Sequence, residues 1–110
     1  MSWLNAKLEA EERAQAIFDL CAQLRIPRGA VIPTSFYPTP HDFRFLRPEE
    51  KVSWEHYVAV ARAVRRLVKR GGYRIDFVDC TAAGCLGWLA ENNLVNTPEN
   101  RAAYVAAINR

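Results

Sequence analysis

Hydrophobic and polar positions alternate with helical spacing most regularly between Pro48 and Arg70. At about 100° per residue, Trp54, Tyr57, Val60, Ala61, Val64, Leu67 and Val68 share one side. Arg62, Arg65, Arg66, Lys69 and Arg70 share the other, together with Lys51 and Glu55. The pattern predicts a helix over 48–70. Pro48 suits the first turn, where no N–H is needed. Glu49 and Glu50 suit the positive end of the helix dipole, and Lys69 and Arg70 its negative end. Gly71 and Gly72 then supply a left-handed stop.

Three further helices are predicted, over 2–25, 81–92 and 98–109. In the first, Ser2 is the expected N-cap, and Leu4, Leu8, Ala14, Ile17, Leu20, Cys21 and Leu24 form the apolar face with Phe18 at its edge. Trp3 reads equally as an exposed contact or as a lid over the core edge. In the second, Thr81 is the cap and Cys85, Leu86, Trp88 and Leu89 supply bulk. Its Gly84 and Gly87 imply a close approach by another backbone or a ring. In the third, Thr97 is the cap, Pro98 opens the first turn, and Tyr104, Val105 and Ile108 face inward.

Strand-like alternation is clearest over 73–79, where Tyr73, Ile75 and Phe77 share a face. A lone strand is unstable, so its partners must come from the segment 27–47. That segment mixes Pro27, Pro33, Pro38 and Pro40 with Phe36, Tyr37, Phe43 and Phe45. It reads as a packed, non-helical connection holding short strands at 30–33 and 42–46, with an exposed turn from Tyr37 to Asp42. The expected fold class is α+β, one domain over 1–110 with about four helices on a two- or three-stranded sheet.

Composition fits this expectation. Of the 110 residues, 50% are hydrophobic and 25% charged, enough to bury a core without staples. The net charge of +3 and pI of about 9.0 permit attraction to polyanions without requiring it. Glu9, Glu11, Glu12 and Asp19 make the first helix partly acidic, and it is chiefly this helix that could balance the basic stretch from Arg62 to Arg74. Cys21, Cys80 and Cys85 form no CxxC pair, which suits free thiols in a reducing compartment. No leader-like segment and no apolar run of membrane-spanning length is seen, so the expected location is cytoplasmic, with no membrane partner.

Candidate chemistry is sparse. Gly71-Gly72 leads into a strand, the reverse of a phosphate-binding loop. Cys80 and Cys85 have no histidine near them in sequence, so neither a metal nor a cofactor is expected. Asp76, Asp79, Cys80 and Thr81 stand where a strand gives way to a helix, and His56 with Cys80 or Cys85 is the one conceivable nucleophile pair. The simpler reading makes Asp79 and Thr81 capping residues and Cys80 a packed side chain, with no catalytic residue. Two surfaces remain. Arg62, Arg65, Arg66, Lys69 and Arg70, with Arg74, form a candidate site for nucleic acid or an acidic partner, none of the first five having an acidic residue three or four places before it. Tyr37, His41, Phe43 and Arg44 form a candidate protein-binding surface. The ranked expectations are a non-catalytic binding protein, regulator or inhibitor working through protein–protein contacts; then a nucleic-acid-binding protein using the basic helix face; then a Cys-dependent enzyme.

Overall fold

Seven elements follow one another along the chain: α1 (Trp3–Gln23), β1 (Val31–Phe36), α2 (Pro40–Leu46), α3 (Trp54–Arg70), β2 (Arg74–Asp79), α4 (Ala82–Glu91) and α5 (Pro98–Ile108). They are seen in a computed structural model that describes residues 3–109, with side chains from Asn5 onward. The expected Ser2 cap and the side chains of Trp3 and Leu4 lie outside the described residues. The architecture is α+β, five helices with a two-stranded parallel sheet. Backbone bonds fix the register at both ends of the sheet: Arg74 N–H donates to Ala30 C=O at 3.1 Å and Cys80 N–H to Phe36 C=O at 2.7 Å.

The segment expected to be a strand at 42–46 is instead α2. Pro40 sits at the start of that helix, the position where proline costs nothing. Thr39 is the N-cap: its hydroxyl oxygen accepts from Asp42 N–H at 3.2 Å, and its O–H donates to the Asp42 carboxylate at 2.7 Å. Thr39 is thus an ordinary N-cap whose hydroxyl is itself oriented by the Asp42 carboxylate. The expected helix over 48–70 starts later, at Trp54, because Ser53 caps it by accepting from His56 N–H at 3.1 Å. Pro48 to Glu50 lie before it in a turn closed by Glu50 N–H to Arg47 C=O.

The helices α1, α3 and α4 end alike. The bonds Ile26 N–H to Cys21 C=O, Tyr73 N–H to Val68 C=O and Leu94 N–H to Leu89 C=O each span five residues. The residues between, Arg25, Gly72 and Asn93, take φ of 54°, 96° and 54°, the left-handed cap that consumes spare helix carbonyls.

The chain forms two compact units. One comprises Met1–Ile32 and Val52–Ile75, the other Pro33–Lys51 and Asp76–Arg110. In the first, α1 packs on α3. The buried line of α1 is Ala10, Ala14 and Cys21, with Ile17 half-buried. Leu8, Leu20 and Leu24, expected to face inward, are exposed at 51%, 52% and 63%. From α3 come Val60, Val64 and Val68, as the periodicity predicts, and also Val58. The Phe18 ring lies beside Tyr73 with centroids 6.3 Å apart, and it fills the space where a side chain at Gly71 would stand.

In the second unit α4 packs against both α2 and α5. Its core holds Tyr37, Phe43, Leu46, Cys80, Ala82, Cys85, Leu89, Tyr104 and Val105. Phe36 and Phe77 stack across the two strands at 4.8 Å. Two charged residues among those described are buried here. The Asp42 carboxylate accepts from Ala82 N–H at 2.8 Å and from the Thr39 hydroxyl at 2.7 Å, so one side chain serves the starts of both α4 and α2. Arg101 donates from Nε to the Tyr37 hydroxyl at 2.9 Å, and from Nη1 to Leu46 C=O at 3.0 Å and Asn96 Oδ1 at 2.7 Å. Among the described residues no helix is long and apolar enough to cross a membrane.

Candidate partner-binding surface

The outer face of α3 is built by its register. Once Val60, Val64 and Val68 are buried, the 3.6-residue period turns Arg62, Arg65, Arg66 and Lys69 to the opposite side, with Arg70 at its margin. All five are exposed. Val58 would fall among them on the helical wheel but is buried, so the exposed cationic face begins at Arg62.

The carboxylates of α1 form no ion pair with Arg62, Arg66, Lys69 or Arg70 among the described residues, although Glu11 lines the same groove as Arg66 and Arg70. Glu9 is engaged elsewhere, on Arg13 at 3.0 Å and on His56 Nε2 at 3.1 Å. Among the described residues, no carboxylate lies within ion-pair distance of Arg62, Arg66, Lys69 or Arg70. The unit that carries α3 holds ten Lys and Arg against five Asp and Glu, whereas the other unit holds five against seven. The mild net charge of the whole chain therefore conceals a strongly cationic half. Arg74, exposed at the start of β2, follows the end of α3. Arg28, which sequence reasoning missed, lays its side chain along Gly72: its Cδ is 3.3 Å from where a Cβ would stand. The signal for Arg28 is tertiary, because the bond from Gly29 N–H to Gly72 C=O brings distant residues together.

A groove of about 370 Å³ runs along the flank of α3, between it and α1. Its floor is Ala6, Ala10, Ala59, Ala63 and Leu67. Lys7, Glu11, Arg66 and Arg70 stand around it. The sequence held a signal for it: alanine recurs four residues apart on both helices, where small side chains leave a channel.

The second predicted surface is split by the structure. Tyr37 and Phe43 are 5% and 3% exposed, and their rings face one another at 6.1 Å inside the core. The expectation of an exposed turn from Tyr37 to Asp42 is thereby corrected: the Arg101 bond holds Tyr37 in, and the α2 register buries Asp42 and Phe43. His41 and Arg44 are exposed. Phe45, not among the candidates, is 59% exposed and packs on the His41 ring at 4.4 Å.

The cysteines are placed for packing. Cys80 and Cys85 are fully buried and lie close to one another. Burial, followed by the proximity of Cys85, pushes the Cys80 thiol up to about 12, the opposite of an activated nucleophile. Burial raises Cys85 as well. His56, the proposed base, is held by Glu9. Thr81 is the cap of α4, accepting from Gly84 N–H at 3.1 Å. Among the described residues, no group of three or more His, Cys, Asp or Glu is placed to hold a metal ion. No family model matches the chain, and no curated protein matches it.

Proposed function

We propose that the chain is a small non-catalytic binding protein, a regulator or inhibitor, that receives an acidic protein partner on the outer face of α3. The observation that carries this reading is the row of exposed cations, of which Arg62, Arg66, Lys69 and Arg70 have no carboxylate within ion-pair distance among the described residues. Like charges held together on a rigid helix repel, and a partner of opposite sign relieves that repulsion. Four of the five are arginines, whose forked guanidinium fits a carboxylate with two parallel hydrogen bonds. His41, Arg44 and Phe45 on α2 offer a second contact region.

A nucleic-acid ligand is the second reading. It is favoured by the same guanidinium row, which spans about 12 Å of helix and suits phosphates as well as carboxylates. What favours a protein is the apolar groove on the flank, since a phosphate backbone has nothing to place there.

Fluorescence anisotropy with labelled polyglutamate and with a labelled DNA duplex, each over a salt series, tests the proposal. Arg62→Glu with Arg66→Glu is expected to weaken polyglutamate binding by about tenfold or more, since each reversal turns an attraction into a repulsion. Unchanged affinity in the double variant refutes the role of this face. A duplex bound far more tightly than polyglutamate, with a steep salt slope, selects the second reading.

A further inference from the structure

We infer that the groove between α1 and α3 receives the apolar side chains of an acidic amphipathic helix supplied by a partner protein. This rests on the reading of the α3 face as a site for an acidic partner, and it names the form that partner takes.

The groove follows α3 from Ala59 to Arg70, three turns or about 16 Å. That length matches three turns of a docked helix. Its floor is alanine methyls and one leucine, so it is apolar but shallow. Such a channel takes side chains projecting from a neighbour at helical spacing, as ridges enter grooves between packed helices. Lys7, Arg66 and Arg70 surround it against a single carboxylate, Glu11. An occupant with aliphatic residues on one side and carboxylates on both flanks therefore matches floor and rim together. Arg62 and Lys69, next on the outer face, extend the charge match beyond the groove. Affinity from this face comes in two separable parts, a salt-sensitive charge term and a geometric term that needs the apolar residues in register.

The test uses the full chain and two labelled synthetic peptides of about 18 residues. One is a glutamate-rich helix with leucine at i, i+4 and i+7, and the other has the same composition scrambled. Anisotropy is read with wild type, Ala63→Leu, Ala59→Leu and Arg62→Glu, and thermal unfolding by circular dichroism shows which variants fold. Ala59 is exposed, so its leucine variant fills the groove with little demand on the core. The expected result is about tenfold tighter binding of the patterned peptide, the worth of one or two buried leucines. Filling the groove removes that preference and leaves scrambled-peptide binding intact, while Arg62→Glu weakens both peptides alike. Equal binding of the two peptides, or a preference that survives both leucine variants, overturns the inference. In either case a surviving Arg62→Glu effect leaves the charged face standing. Self-association of the chain that Ala59→Leu abolishes also overturns it, because a second copy then fills the groove.

Discussion

Asp42 joins two helix starts through one side chain, and its removal has a calculable cost. In Asp42→Ala the Ala82 N–H loses a charged acceptor at 2.8 Å and the Thr39 hydroxyl loses its own at 2.7 Å. A hydrogen bond to a charged group contributes about 1.5–3 kcal/mol, a neutral one about 0.5–1.5 kcal/mol. A carboxylate at a helix N-terminus adds roughly 0.3–1 kcal/mol, here for α2 and α4 both. Against these stands the cost of holding a carboxylate that is 7% exposed. The net expectation is a loss of about 3 kcal/mol, out of a total stability of roughly 5–15 kcal/mol. The melting temperature falls by roughly 12–20 °C. Asp42→Asn discriminates the mechanism. Its Oδ1 still accepts from Ala82 N–H and its Nδ2 donates to the Thr39 hydroxyl, so only the charge is lost and the cost is about 1 kcal/mol. Urea unfolding followed by far-UV circular dichroism measures both. A loss below about 1 kcal/mol in the alanine variant, or equal losses in the two variants, refutes the double-cap account.

Three further predictions concern glycines, alkaline pH and thiols. A Cβ at Gly71 stands 2.3 Å from the Phe18 ring while nothing lies within 4 Å of one at Gly87, so Gly71→Ala costs about 1–3 kcal/mol and Gly87→Ala gains up to about 1 kcal/mol in α4. Thermal melts of the pair decide this, and equal effects at both positions contradict it. Stability falls as pH rises through the window from about 9 to about 12, because burial holds the Cys80 proton in the folded state after the unfolded thiol has lost its own. Cys85, Tyr37 and Tyr104, also raised by burial, act with the same sign. Urea titrations at stepped alkaline pH measure this, and no loss of stability across the window contradicts it. Cys80 and Cys85 stay silent to a thiol reagent in the native protein and react on unfolding, and a fast native reaction contradicts their burial.

Much of this was legible in the sequence, and the failures have physical reasons. The apolar side of α3 was readable because valines recur with the helical period. Its start was not, because Pro48-Glu49-Glu50 and Ser53 both look like a helix opening, and only the Ser53 hydroxyl makes the capping bond. The strand expected at 42–46 failed because four prolines outweighed the Thr39 N-cap and the Pro40 that follows it, a helix opening that was present all along. On α1 the reading caught Ala14 and Cys21 but let Leu8, Leu20 and Leu24 stand for core in place of small Ala10, which is the residue that faces inward. Arg101 was invisible as a core residue, since a charge reads as surface until Tyr37, Leu46 and Asn96 gather around it. For the candidate site, the cationic row was legible, but the absence of an ion pair at Arg62, Arg66, Lys69 and Arg70 among the described residues was not, because packing directs Glu9 of α1 to Arg13 and His56.

Each strand changes unit partway along, β1 between Ile32 and Pro33 and β2 between Ile75 and Asp76. Each unit is thus assembled from two separated stretches of chain, and no single cut in the polypeptide releases either one whole. Expressed as residues 1–51 and 52–110, the chain yields two fragments, each bearing a part of both units. Neither fragment holds a whole unit, so the expected outcome is that structure forms only on mixing the two, which would make a split reporter out of this small protein.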